Sequence, residues 1–134
     1  MARAKDPLPP TTEVSERMRR VATRGTRPEH QVRKVVRRLG IRHTTRTDHL
    51  PGRPDLLLYE LNVAVFVHGC FWHGCPKCFR APKRNRRWWK TKVANNRKRD
   101  RRKSDHLRRL GYTVLTLMEH DEEWRIETRL RRFQ

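Results

Sequence analysis

Three cysteines and two histidines crowd into one short stretch, where His68, Cys70, His73, Cys75 and Cys78 stand within eleven residues of one another. Thiolates and imidazoles are the ligands that zinc takes in a tetrahedron. The two-residue gap between Cys75 and Cys78 lets both sulfurs turn onto the same ion. Cys70, at the end of one apolar run, and His120, just beyond a later one, complete a set of four. A full protein ligand set leaves no open coordination position, so zinc here would be structural, tying a loop to two strand ends. His73 is the alternative fourth ligand. The bland reading is a group of buried free thiols beside a surface histidine.

Any chemistry must then come from other groups. Asp55 follows the turn Leu50-Pro51-Gly52-Arg53-Pro54, which holds its carboxylate at the start of a strand. A hard cation such as Mg2+ takes carboxylate oxygen and keeps its other positions for water and phosphate. Such an ion polarises a phosphoryl group and activates water; the simpler alternative is an aspartate that caps a turn. His68 and His73 remain once zinc has its four ligands, and imidazole titrates close enough to neutrality to pass protons in hydrolysis. Glu29, in the first turn of a helix, could orient a histidine or a metal-bound water. Its ordinary role would be a capping box with Thr26.

The elements that must position these groups follow from local pattern. Residues 1–14 form a basic, proline-rich leader, and 15–134 a single domain. Ser15 caps a short helix holding Met18, Val21 and Ala22, which ends near Gly25. A second helix opens at Thr26 with Pro28 in its first turn, carries Val32, Val35, Val36 and Leu39 at helical spacing, and stops at Gly40. Strands are expected over 41–47, 55–59 and 63–67, the last two joined by a tight reversal at 60–62. After an irregular stretch over 68–82 comes one long basic helix, 85–109, then a strand at 112–118 and a short helix with Trp124, Leu130 and Phe133. This order predicts an α/β domain: a mixed central sheet flanked by helices.

Composition points to the partner. Across 134 residues, 34 Lys and Arg oppose 14 Asp and Glu, a formal net charge of +20. Such a surplus favours a polyanion, and arginine's planar fork suits phosphate oxygens. Nucleic acid is the default and an anionic membrane surface the rival. No apolar stretch is long enough to span a bilayer, and the N-terminal sequence has no apolar signal-peptide core. A metal-binding rather than disulfide use of cysteine then predicts a reducing, bacterial cytoplasmic setting. The long helix interleaves its cations with Trp88, Trp89, Asn95 and Asn96, and Lys92 lies among them. Backbone phosphates would take the charges and the asparagines could read base edges. Phe71 and Trp72 could push between base pairs as an apolar wedge, or pack as core. Met18 has the same two readings.

The strings Leu50-Pro51-Gly52-Arg53-Pro54-Asp55, Phe66-Val67-His68-Gly69-Cys70-Phe71-Trp72-His73-Gly74-Cys75-Pro76-Lys77-Cys78 and Trp88-Trp89-Lys90-Thr91-Lys92-Val93-Ala94-Asn95-Asn96 carry more than these separate signals. In order and spacing they closely resemble the very-short-patch repair endonucleases, bacterial enzymes that nick at T:G mismatches. The likeness runs from about Ser15 to about Trp124. It implies a restriction-endonuclease-like fold and hydrolysis of one phosphodiester 5′ to the mispaired T that deamination of 5-methylcytosine leaves. It implies catalytic Mg2+ at Asp55 and the main-chain carbonyl of Val67, with His73 as water activator, His68 as phosphate contact or acid, and Glu29 as the helix carboxylate. Structural Zn2+ would sit on Cys70, Cys75, Cys78 and His120. Phe71 and Trp72 map to the family's wedge, Met18 to a residue entering from the opposite groove, and Lys92 and Asn96 to residues at the mismatch. The expected partner is double-stranded DNA with a T:G mismatch, bound by a monomer, with mismatch-repair proteins as candidate collaborators. The competing readings are a related nicking enzyme of different specificity and a catalytically silent, zinc-containing DNA-binding protein.

Overall fold

The computed structural model describes residues 26–70 and 72–134. In chain order these form helix α1 (Arg27–Arg38), strands β1 (Leu56–Leu58) and β2 (Val63–His68), helix α2 (Arg86–Arg109), strand β3 (Thr113–Met118) and helix α3 (Glu123–Arg131). The expected leader, the short helix after Ser15, Met18 and Phe71 lie outside the described residues.

The three strands make one mixed sheet in the order β1-β2-β3. The reversal at 59–62 is short enough for an antiparallel hairpin, so Leu56, Leu57 and Leu58 face Val65, Ala64 and Val63. Parallel neighbours need a long crossover. Here α2 supplies it, and β2 and β3 run in register from Val63 opposite Thr113 to His68 opposite Met118. The mixed sheet flanked by helices is the arrangement of the restriction-endonuclease-like fold.

Side chains alternate across a strand, so β2 serves both faces. Val63 and Val65 join Val32, Val35 and Val36 of α1 and Ile126 and Leu130 of α3 in one core, and Val67 packs against it. Ala64 and Phe66 point the other way, into a second core with Leu50, Leu57 and Leu107 of α2. One network of three ion pairs ties α1 to α3: Lys34 and Arg38 reach Glu123 at 3.3 and 3.2 Å, and Arg38 reaches Glu127 at 3.4 Å.

Two local expectations are corrected. Residues 41–47 are not a strand; only Thr44 pairs, bridging to Leu57 at the outer edge of β1. The cause is the brevity of β1, which offers three residues, and the turn at 50–54 folding back so that the buried Thr47 hydroxyl donates to the Pro54 carbonyl. Thr26 makes no side-chain cap at α1, so it does not complete a capping box. Glu29 is instead buried, 9% exposed, in the wall of a cleft.

Candidate functional site

The parallel pair β2–β3 ends with two stretches of backbone side by side, residues 68–70 and 118–120. The Glu119 N–H donates to the His68 carbonyl at 2.9 Å, and the Cys70 N–H donates to Glu119 Oε1 at 2.6 Å. These bonds bring Cys70 and His120 together across fifty residues of chain. The loop then curls back: the Cys75 N–H donates to the Cys70 carbonyl at 2.9 Å and the Phe79 N–H to the Cys75 carbonyl at 2.9 Å.

The result is a four-donor knot. His120 Nδ1 lies 3.1 Å from Cys70 Sγ, 3.6 Å from Cys75 Sγ and 3.5 Å from Cys78 Sγ. All four donor atoms fall within 4.8 Å of one another, a set that could hold one metal ion. Burial pushes the Cys70 thiol up to about 12, and the adjacent Cys78 and Cys75 thiols add to the rise. Burial also opposes ionisation of Cys75, but N–H groups of Lys77 and Cys78, together with the Cys70 and Cys78 thiols, outweigh it and draw this thiol down. A dication is the ordinary way for thiolates this close to ionise together. The other ring nitrogen of His120, Nε2, lies 3.6 Å from Asp121 Oδ1, and Asp121 Oδ2 accepts the Met118 N–H at 2.8 Å. Asp121 thus stands at ion-pair distance behind the imidazole, the place a carboxylate takes behind a metal-bound histidine. His73, the alternative fourth ligand, lies elsewhere.

A cleft of about 820 Å³ opens beside the knot. Asp55, Val67, His68, His73 and Glu29 all line it, as do Trp72, Lys92 and Asn96. Every expected site residue among the described ones is therefore either in the knot or in this cleft. β2 delivers His68 on its α2 side. Asp55, just before β1, is held by its own N–H to the Val65 carbonyl at 2.9 Å, and its Oδ2 accepts the Val67 N–H at 2.7 Å. α2 contributes Lys92 and Asn96, and Asn96 Nδ2 donates to the Trp72 carbonyl at 2.8 Å. Trp72 is half-buried, its ring 6.0 Å from Trp89, which is core.

The imidazoles of His68 and His73 stack, centroids 3.8 Å apart and planes within 2°. The third member of their cluster, Asp100 on α2, was not singled out from the sequence. Its Oδ2 lies 2.5 Å from His73 Nδ1 and 3.9 Å from His68 Nδ1. Burial tends to raise this carboxyl, but the bond from His73 and the charges of His68, His73 and Lys103 together hold it below its ordinary value. Asp100 is thus the ionised acceptor, His73 donates from Nδ1, and Nε2 is left as its basic nitrogen. His68 is driven down to about 4, first by burial, then by the neighbouring charges of His73 and Lys103 against the pull of Asp100. Near neutral pH it is uncharged. A signal for Asp100 existed: it is the sole acidic residue between Arg80 and Ser104 in a run dense with cations.

Lys103, one turn beyond Asp100, also faces the cleft. Its stem lies across Gly52, where a Cβ would stand 2.7 Å from Lys103 Cβ and where φ is +78°. The turn before Asp55 therefore needs glycine both for backbone conformation and for close approach to α2.

Residues 8–79 match the family model described as DNA mismatch endonuclease Vsr. The chain is 36% identical over 118 residues to the type II nicking enzyme V.XorIIP of Xanthomonas oryzae, covering 85% of this chain and 86% of that protein. It is 35% identical over 121 residues to the type II nicking enzyme V.NaeI of Lentzea aerocolonigenes, covering 87% and 73%. It is 36% identical over 107 residues to the DNA mismatch endonuclease Vsr of Escherichia coli, covering 78% and 68%. Among the described residues, no helix is long and apolar enough to cross a membrane.

Proposed function

Since this chain belongs to the DNA mismatch endonuclease Vsr family, we propose that it nicks double-stranded DNA 5′ to the mispaired T of a T:G mismatch by Mg2+-dependent phosphodiester hydrolysis. One observation carries the reading. A buried carboxylate on α1, Asp55 before β1, and a stacked histidine pair backed by Asp100 converge on a single cleft lined by the basic helix α2.

The oxygen donors in that cleft fit a hard dication: Asp55 with the Val67 carbonyl would hold it, and Glu29 stands on the same wall. When bound, such an ion polarises the scissile phosphate and acidifies water. The chain's own residues do the rest. His73 takes the proton of the attacking water at Nε2, because Asp100 occupies Nδ1 and stabilises the imidazolium that forms. His68, neutral and stacked on it, contacts the phosphate through a hydrogen bond instead of a full charge. Lys92 and Asn96 attend the mismatched pair, and Phe71 and Trp72, with Met18 from the opposite groove, open the duplex. Zn2+ on Cys70, Cys75, Cys78 and His120 is structural, since three thiols and an imidazole are its preferred closed set.

The test is a nicking assay on T:G, other mismatched and fully paired duplexes, with and without Mg2+. T:G duplexes should be cut with Mg2+ alone present, and Asp55→Ala and His73→Ala should abolish nicking while duplex binding persists. Equal cleavage of paired DNA would overturn the mismatch specificity, and unchanged cleavage by both variants would overturn the site.

A further inference from the structure

A second cleft, of about 570 Å³, opens beyond the knot. Cys75 and His120 line this one, whereas their neighbours His73 and Glu119 line the first, so the metal knot stands between the two. Its outer wall is one face of α3 and the turn after it: Arg125, Thr128, Arg129 and Arg132 follow at intervals of three, one and three residues, the spacing of a single helical stripe. Lys77 closes the other side.

This stripe is more than the average charge of a basic protein. The two glutamates of α3 lie on its other side, where Glu123 is held by Lys34 and Arg38 and Glu127 by Arg38 and Arg131. The carboxylate inside the cleft, Asp121, is buried and already bonded to the Met118 N–H. Charge on α3 is therefore largely segregated, with the acids turned to α1 and Arg125 and Arg129 to the cleft. On the cleft's rim Trp124 is 63% exposed, its indole N–H fixed to Glu122 at 2.7 Å. A large aromatic ring held open beside cations marks a contact surface.

We propose that this cleft is a second DNA site, in which Lys77, Arg125 and Arg132 take the phosphate backbone of the duplex that continues past the knot, with Trp124 packing against its sugar edge. The assignment rests on DNA being the substrate. With its cations on phosphates, the site adds affinity and fixes the path of flanking DNA without adding sequence preference.

The experiment measures binding of the full chain to a T:G duplex extended by two helical turns on either side, across a salt series. Each lost phosphate contact makes the plot of log affinity against log salt shallower by about 0.9. Arg125→Gln/Arg132→Gln should therefore flatten it by about 2, with a several-fold loss of affinity, and Trp124→Ala should weaken binding without changing the slope. The charge-matched pair Arg37→Gln/Arg42→Gln, on exposed residues away from both clefts, should keep the wild-type slope, and thermal melting checks that each variant folds. Equal slopes for the two double variants, or no change from wild type in the first, would overturn this site while wild-type nicking left the proposed function standing. A wild-type chain that binds no duplex would overturn both.

Discussion

His73 Nδ1 and Asp100 Oδ2 lie 2.5 Å apart, although 27 residues separate them and they sit on a loop and a helix. The contact joins the loop that follows β2 to the rigid helix α2. It also fixes the tautomer of His73, because an ionised carboxylate accepts and cannot donate. A histidine so held presents the same nitrogen in every molecule of the population.

Asp100→Asn should slow single-turnover nicking by about 100-fold or more, since an amide can hold the ring in the wrong tautomer. Duplex affinity should change little. A nicking rate within twofold of wild type would show that the carboxylate only braces the loop after β2.

Metal removal should act through stability. The folded chain should carry one zinc by elemental analysis, and stripping it with a chelator should lower Tm by more than 10 °C, because a closed cysteine-histidine site contributes folding free energy directly. Cys75→Ser should reproduce the effect. An unchanged Tm with the metal gone would refute the structural role.

Gly74 lies between the two clusters at φ +63°, and an added Cβ would stand 2.3 Å from Val93 Cγ1. The Arg97 guanidinium also donates to the Gly74 carbonyl, so the segment cannot step aside. Gly74→Ala should lose stability by about 2 kcal/mol or more, combining backbone strain with overpacking against buried Val93. Zinc content and nicking should fall together. Denaturant unfolding and elemental analysis check this; loss of nicking with full metal and normal stability would be inconsistent with it.

The α1–α3 ion pairs give a pH signature. Hydrogen bonds from Arg38 and Lys34 hold the Glu123 carboxyl below its ordinary 4.5. A carboxyl lowered in the folded state stabilises above its unfolded value, and that contribution is lost as pH falls through the folded value. Glu123→Gln should therefore lower Tm slightly at pH 7 and make no difference at pH 2. The pair is exposed, so the difference at pH 7 should also shrink in high salt. A Tm difference persisting at low pH would place the effect in packing.

Much of this fold was legible because its signals are local. The β-branched run in β2, the valines of α1 at helical spacing and the unbroken helix over α2 each follow from the period of their own segment. The knot was legible because three of its four donors lie in nine residues, at a spacing that suits a single metal ion. The failures are non-local. Residues 41–47 have strand-like composition, but pairing depends on how many residues β1 offers, and it offers one bridge. Asp100 looked like one charge in a charged helix; its meaning appears only when α2 crosses the end of β2 and its acid meets two imidazoles. Glu29 fitted a cap by spacing and a cleft wall by position, and tertiary placement decided.

The alternation along β2 has a consequence for how such chains can diverge. Even positions serve the α2 face and odd positions the α1 face, so a single residue added to the reversal at 59–62 would move His68 to the wrong side and set a valine in its stead. Length changes should accumulate in stretches such as 80–85, which lead into a helix and join no paired strands directly, and the hairpin should remain frozen to the residue.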